Sequence, residues 1–136
     1  MIEAGDSAGV AAWIPPGSDV GLEQVNVATW SEVVGLTDDG GDRYHRFWSW
    51  LESDVPYEPH WMLDMLGVDP ARQGEGIGSA LVRYGVERAE ADGVPAFLET
   101  SKARNVPYDE RFGFRTAAEE DAPDGGPHIW FMRLDP

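Results

Sequence analysis

The chain has 136 residues, of which 42% are hydrophobic, which is enough for the core of one domain spanning residues 1–136. A net charge of −15 leaves no basic surface for a nucleic-acid partner, and it indicates either solubility or an affinity for cationic substrates. Without cysteine, a signal peptide or an apolar run of about 18 residues, the protein is expected to be cytoplasmic, without disulfides, a zinc ribbon or a membrane partner.

The N-terminal third predicts a β-hairpin followed by two helices. Apolar residues 1–4 and 9–14 flank a short polar turn, as the strands of a hairpin do. Apolar side chains recur near helical spacing in 21–36, and 42–53 predicts a second helix. That second helix is expected to place one apolar side in the core: Tyr44, Phe47, Trp48 and Leu51.

The middle of the chain predicts a central strand and a long helix. Residues 60–68 are apolar on both faces, which is typical of a strand covered on both sides. Residues 76–92 predict a helix that ends at Gly93, a residue suited to a C-cap. Its expected inward side consists of Ile77, Leu81, Tyr84 and Arg88, with Ala80 and Ala89 beside them.

The C-terminal part predicts three more strands and a short helix. Residues 95–100 form a second buried strand, 105–113 a short helix closed by Gly113, and 114–120 with 128–135 a final antiparallel pair. The predicted order is β-β-α-α-β-α-β-α-β-β. This order indicates an α/β fold with a mixed sheet and helices on its faces.

Three glycines, Gly74, Gly76 and Gly78, lie between the central strand and the long helix. A glycine turn before a helix N-terminus offers free N–H groups to an anion such as a pyrophosphate. A P-loop is excluded because Ile77 stands where the lysine would follow Gly76. A dinucleotide fingerprint counted from Gly74 meets Ser79 at its third glycine and fits poorly. A plain tight turn stays open.

The residues around this turn settle the choice by resemblance. The stretch 66–81, LGVDPARQGEGIGSAL, resembles the acetyl-CoA signature of the GNAT superfamily of N-acetyltransferases. The matching positions are Val68, Pro70, Gln73, Gly76 and Gly78. Further stretches fit the same superfamily and look most like its puromycin N-acetyltransferase branch: 12–17, 93–101, 104–114 and 129–134.

The resemblance implies the acyl-CoA N-acyltransferase (GNAT) fold, with acetyl-CoA as co-substrate and no metal. Its pantetheine arm would run between two separating strands, 62–68 and 96–100, held by backbone groups of Leu66 and Val68. A backbone N–H near Leu66 or Gly67 would face the thioester oxygen. The implied acetyl-CoA-binding residues are Leu66, Gly67, Val68, Gln73, Gly74, Glu75, Gly76, Ile77, Gly78, Ser79 and Asn105.

Proton transfer requires a base for the attacking amine and an acid for the leaving thiolate. Glu99 matches a functional glutamate of the puromycin branch and is the candidate base, with His60 and Asp64 as alternatives. A paired or solvated structural carboxylate is the competing interpretation of Glu99. Where the family has its acidic tyrosine this chain has Asp109, and Tyr108 is one helical step of about 100° away. An ionised Asp109 would repel the thiolate, so Tyr108 or water is the expected acid.

The resemblance implies transfer of acetyl to a primary amine of a small molecule, with the catalytic set Glu99, Tyr108 and the backbone at Leu66. A catalytically weak or inactive acyl-CoA-binding or interaction module is the alternative. A nucleotide-binding module of another fold fits poorly. The family usually has a strand and one or two helices before the hairpin, and this sequence starts at the hairpin. An exposed sheet edge would follow, so a homodimer is expected, unless the gene product is truncated.

Overall fold

The structure, a computed structural model that describes residues 2–4, 8–18, 32 and 34–136, contains one six-stranded sheet. The strands are β1 (Ile2–Ala4), β2 (Gly9–Ile14), β3 (Trp61–Val68), β4 (Ala96–Thr100), β5 (Arg115–Asp121) and β6 (His128–Leu134). The helices are α1 (Asp42–Ser53), α2 (Ile77–Asp92) and α3 (Val106–Glu110), with short 3₁₀ turns at Pro70–Arg72 and Pro123–Gly125.

The order of strands across the sheet is β1-β2-β3-β4-β6-β5. Only β3 and β4 are parallel among these neighbours, and every other pair is antiparallel. The predicted hairpin, the two central strands and the closing antiparallel pair are confirmed. The helix predicted over 21–36 lies largely outside the described residues.

The core lies between the sheet and α2. Leu81, Val82 and Val86 of the helix are buried with Leu63 of β3 and Leu98 of β4. From β2, the Trp13 indole donates a hydrogen bond of 3.0 Å to the Leu81 carbonyl of α2. The helix begins after Gly76 and ends at Gly93, and both have positive φ angles, as the sequence predicts for Gly93.

The buried side of α2 differs from the predicted one. Leu81 and Ala89 are buried as expected, together with three residues that the prediction missed: Val82, Gly85 and Val86. Ala80 is exposed, and Arg88 lies over the Tyr84 ring, 3.4 Å from its centroid, instead of entering the core. Ile77 and Tyr84 pack against the core while partly buried, as predicted. The prediction was wrong for Ala80 and Arg88, because the sheet contacts a broader face of the helix than one helical spacing pattern describes.

The aromatic side of α1 is not core, which corrects the prediction. Only Leu51 is buried in this helix, and Trp48 is 39% exposed. The helix reaches the sheet through Trp50, whose ring centroid lies 5.9 Å from that of Phe131 on β6. Other aromatic rings of α1 lie against rings of the same helix, as Phe47 and Trp48 do at 5.7 Å.

The central strand β3 is also less covered than its composition predicts. Leu63 is buried, but Asp64 is exposed and Met65 is 62% exposed.

Among the described residues, no helix is both long and apolar enough to cross a membrane.

Gly85 generates a test of the packing between α2 and β2. Alanine normally stabilises a helix interior by about 1 kcal/mol over glycine, but a Cβ here would lie 2.0 Å from Trp13 Cε2. We expect Gly85→Ala to lower the free energy of unfolding by about 2–3 kcal/mol in urea titrations, as overpacking does. Gly35→Ala is the control, because its Cβ would meet no atom of the described residues within 4 Å. An unchanged or raised stability in Gly85→Ala would contradict the described packing.

Candidate active site

The parallel strands β3 and β4 pair over only three residues each. Trp61, Met62 and Leu63 face Ala96, Phe97 and Leu98 in register, and the pairing then stops. Beyond this point β3 stays paired with β2, while β4 stays paired with β6. We call this point, after Leu63 and Leu98, the strand fork. The separation of these two strands, which the sequence resemblance implied, is present in the structure.

A cleft of about 640 Å³ opens at the strand fork. Its walls come from both strands, the glycine turn, the start of α2, the loop after β4 and the helix α3. Of the predicted site residues it brings together Leu66, Val68, Gln73, Gly74, Gly76, Ile77, Gly78, Ser79, Glu99, Asn105 and Tyr108.

Two predicted acetyl-CoA-binding residues do not line this cleft. Gly67 lies opposite Val10 in the ladder between β2 and β3, and it contributes no surface to the cleft. The Glu75 carboxylate forms an ion pair of 2.7 Å with Arg72, and its side chain is outside the lining. Arg72 itself lines the cleft, so Glu75 acts on it through that ion pair.

The glycine turn has the conformation that an anion site needs. Gly74 and Gly76 have φ angles of 86° and 85°, a region that disfavours other residues. Gly78 is needed for another reason, because a Cβ there would lie 3.0 Å from the Tyr108 hydroxyl. The first N–H groups of α2 have no acceptor within the helix, so they are available to a phosphate in the cleft.

Four cationic side chains line the cleft, a feature that the sequence analysis missed. They are Arg72, Lys102, Arg104 and Arg111. The whole chain has ten Lys and Arg residues against 25 Asp and Glu, so the fold concentrates positive charge here. The sequence did contain a signal for this cluster. Lys102 and Arg104 follow β4, which is parallel to β3, so they lie at the same edge of the sheet as the glycine turn that follows β3.

Glu99 follows Leu98 directly at the strand fork and lines the cleft. Burial raises the pKa of its carboxyl, and the negative charge of Asp64 adds to the effect, which brings the pKa to about 7. A carboxyl with this pKa can accept and release a proton near neutral pH. His60, an alternative base, is not part of the lining, and its ring lies against Phe97 with a centroid distance of 5.1 Å.

Tyr108 and Asp109 both line the cleft, although they are neighbours on α3. The Tyr108 hydroxyl is 3.5 Å from Ser79 Oγ at the start of α2. One helical step separates Tyr108 from Asp109, yet it does not turn the Tyr108 side chain away from the cleft, because both residues of this short helix line it. Asp109 is only 5% exposed, and burial raises its pKa to about 6 although the positive charge of Arg111 opposes the shift.

Asn105 is the residue before the first turn of α3. Its side-chain amide donates a hydrogen bond of 2.9 Å to Thr100 Oγ1, at the end of β4. Both residues line the cleft, so this bond joins the loop after β4 to the short helix.

Sequence comparison assigns this arrangement to a family. Residues 32–114, more than half of the chain, match the acetyltransferase (GNAT) family. The chain therefore belongs to the GNAT acetyltransferase family, whose members use acetyl-CoA, and the predicted fold is confirmed.

Individual proteins agree with this assignment. An uncharacterized N-acetyltransferase of Schizosaccharomyces pombe is 26% identical over 123 residues, which cover 84% of this chain and 50% of the relative. This chain thus spans about half the length of that curated relative.

Two solved structures share the fold. One, from Corynebacterium glutamicum and described as histone acetyltransferase HPA2 and related acetyltransferase, has a TM-score of 0.63 and 25% identity over 95% of this chain and 57% of its own. The other is arylalkylamine N-acetyltransferase 2 of Aedes aegypti, with a TM-score of 0.62 and 14% identity over 98% of this chain and 70% of its own.

The raised pKa of Glu99 makes stability depend on pH. Its folded-state pKa of about 7 exceeds the ordinary value of 4.5, so the folded protein binds this proton more tightly than the unfolded chain. Stability from this group is therefore present at low pH and is lost as the pH rises through about 7. Glu99→Gln removes this dependence. The free energy of unfolding of Glu99→Gln minus that of the wild type should therefore be about 2 kcal/mol larger at about pH 8 than at about pH 5.

Denaturant titrations of both proteins at the two pH values measure this difference. Glu119→Gln, at an exposed position of β5, is the control. A gain of equal size at both pH values would show that Glu99 titrates normally.

Proposed function

We propose that this protein transfers an acetyl group from acetyl-CoA to a primary amine of a small molecule, by direct attack of the amine on the thioester. The observation that carries the proposal is the cleft at the strand fork. It combines a glycine turn at a helix N-terminus, four cationic side chains and a partly buried carboxyl with a pKa of about 7.

The cleft offers acetyl-CoA two kinds of contact. The pyrophosphate would accept hydrogen bonds from the first N–H groups of α2, and the cations of the cleft would neutralise the phosphates. The pantetheine arm would lie along β3 beyond the strand fork, where Leu66 and Val68 have β2 on one side and no strand on the other. Asn105 and Ser79 border the same space.

The reaction forms a C–N bond and breaks the C–S bond of the thioester. Glu99 takes a proton from the attacking ammonium or amine, and a backbone N–H of β3 near Leu66 or Gly67 stabilises the oxyanion. The departing CoA thiolate takes a proton from Tyr108 or from water. A buried Asp109 with a pKa of about 6 is partly protonated near neutral pH, so it repels the thiolate less than an ordinary aspartate would.

A small amine is the proposed acceptor because a cleft of about 640 Å³ is of the size that binds small molecules. The Aedes aegypti protein of similar fold is an arylalkylamine acetyltransferase by name, whereas the Corynebacterium glutamicum structure is named for histones. A place in the puromycin branch, a homodimer and a cytoplasmic location all stay predictions.

The second candidate is an acyl-CoA-binding module with little or no turnover. Asp109 favours it, because this residue stands where the family that the sequence resembles has its acidic tyrosine. Binding and turnover must therefore be measured separately.

For binding, we expect calorimetry to show that acetyl-CoA binds the wild type with micromolar affinity. Replacing Lys102 and Arg104 by Gln should weaken binding about tenfold or more, because each lost charge-assisted contact costs about 1.5–3 kcal/mol. Arg46→Gln is the matched control: its guanidinium pairs with Asp124 at 2.7 Å, outside the cleft. A folded wild type that binds no acetyl-CoA would overturn the proposal.

For turnover, Glu99→Gln should lower kcat by about 10²–10⁴, the usual contribution of a positioned base. Its affinity for acetyl-CoA should stay near that of the wild type, because the loss concerns proton transfer. Release of the CoA thiol can be followed with a thiol reagent without background, since the chain has no cysteine. Acetyl-CoA binding without thiol release, across a panel of amines, would support the second candidate.

A further inference from the structure

We propose that the acceptor is a diamine, whose second ammonium group binds Asp64 while its reacting amine lies at Glu99. This inference rests on the proposed acetyl transfer and names its substrate class. It is drawn from the placement of carboxylates around the strand fork.

Asp64 and Glu99 are the first residues after the last paired positions of β3 and β4, Leu63 and Leu98. Successive side chains of a strand point to opposite faces. Leu98 is buried in the core with α2, so Glu99 faces the other side of the sheet. Asp64 is the extra residue of a bulge, because Leu63 pairs with Trp13 and Met65 with the next residue of β2, Ala12. Its exposed side chain lines the same cleft. The two carboxylates lie on adjacent strands, both line the cleft, and the charge of Asp64 acts on Glu99.

The same face of the sheet carries aromatic rings. Phe131 of β6 is the register partner of Glu99, so the two side chains share a face. Trp50 of α1 covers Phe131, with 5.9 Å between ring centroids. Aromatic rings beside carboxylates attract ammonium groups and accommodate the alkyl chain between them. The acceptor is therefore expected on the α1 side of the fork.

No side chain of the described residues neutralises these carboxylates. Neither Asp64 nor Glu99 forms an ion pair or a side-chain hydrogen bond within the described part of the chain. The cations of the cleft come from the segments after β3 and β4 and from the end of α3, and Arg72 is already paired with Glu75. The fork itself is therefore the acidic part of the cleft.

Asp109 is a separate observation with the same meaning. It is only 5% exposed, it borders the cleft, and its carboxyl has neither an ion pair nor a hydrogen bond among the described residues. Burial raises the pKa of this carboxyl although the positive charge of Arg111 opposes the shift, so a further cation beside Asp109 would stabilise its ionised form. Within the described ranges, no three acidic or histidine side chains are grouped as a metal ion requires. The carboxylates that border the cleft stand on three different elements, β3, β4 and α3, which suits the separated positive charges of an organic diamine.

The test compares 1,3-diaminopropane and 1,4-diaminobutane with propylamine and butylamine, under saturating acetyl-CoA. The wild type should acetylate the better diamine with at least tenfold higher kcat/KM than the monoamine of equal length. Asp64→Asn should lower this diamine-to-monoamine ratio at least fivefold, mainly through KM. Glu119→Gln, which removes a charge from exposed β5, should leave the ratio unchanged.

Equal kcat/KM values for diamines and monoamines would overturn the inference and leave acetyl transfer standing. So would an Asp64→Asn variant that lowers both equally, because Asp64 would then act only by raising the pKa of Glu99. That effect would appear as a shift of the pH profile for every amine. If none of the amines caused release of the CoA thiol, the proposed function itself would be overturned, whatever the affinity for acetyl-CoA.

Discussion

The site depends on one feature of the sheet, the short parallel pairing of β3 and β4. Three residue pairs hold these strands together before they separate toward different neighbours. The separation leaves β3 without a strand partner on its β4 side from Asp64 onward, so backbone groups there can hydrogen-bond a ligand or water. It also exposes the Glu99 and Asp64 side chains to a common space. A continuous sheet would have closed this space.

The cleft groups its positive and its negative side chains in different places, although the chain as a whole is acidic. The protein is strongly acidic overall, yet the loops beyond β3 and β4 carry cations, and the strand fork carries carboxylates. This arrangement suits two ligands of opposite charge, a phosphate-bearing donor and a cationic amine. Burial and the charge of Asp64 raise the pKa of the Glu99 carboxyl to about 7. Such a group serves proton transfer at the expense of stability at high pH.

Small residues connect the packing of the core to the geometry of the site. Gly85 allows Trp13 to reach α2, which fixes the helix on β2. Gly78 allows Tyr108 to approach the start of the same helix, which closes α3 over the cleft. The glycines of the turn therefore serve two purposes, since Gly74 and Gly76 permit the backbone conformation and Gly78 permits a close contact. A bulky residue at either helical glycine would move an element that borders the cleft.

The sequence by itself determined the local elements. Alternating and helical patterns, glycine caps and turn residues predicted the hairpin, α1, α2, the two central strands and the closing pair, because these signals act over a few residues. The glycine turn with its flanking residues also indicated the acetyl-CoA-binding family. Only the tertiary structure decided which side of α2 is buried, that Trp48 of α1 is exposed, and that Arg72, Lys102, Arg104 and Arg111 meet. These properties depend on strand register and on the strand fork, where residues far apart in sequence come together, and no local pattern records such distances.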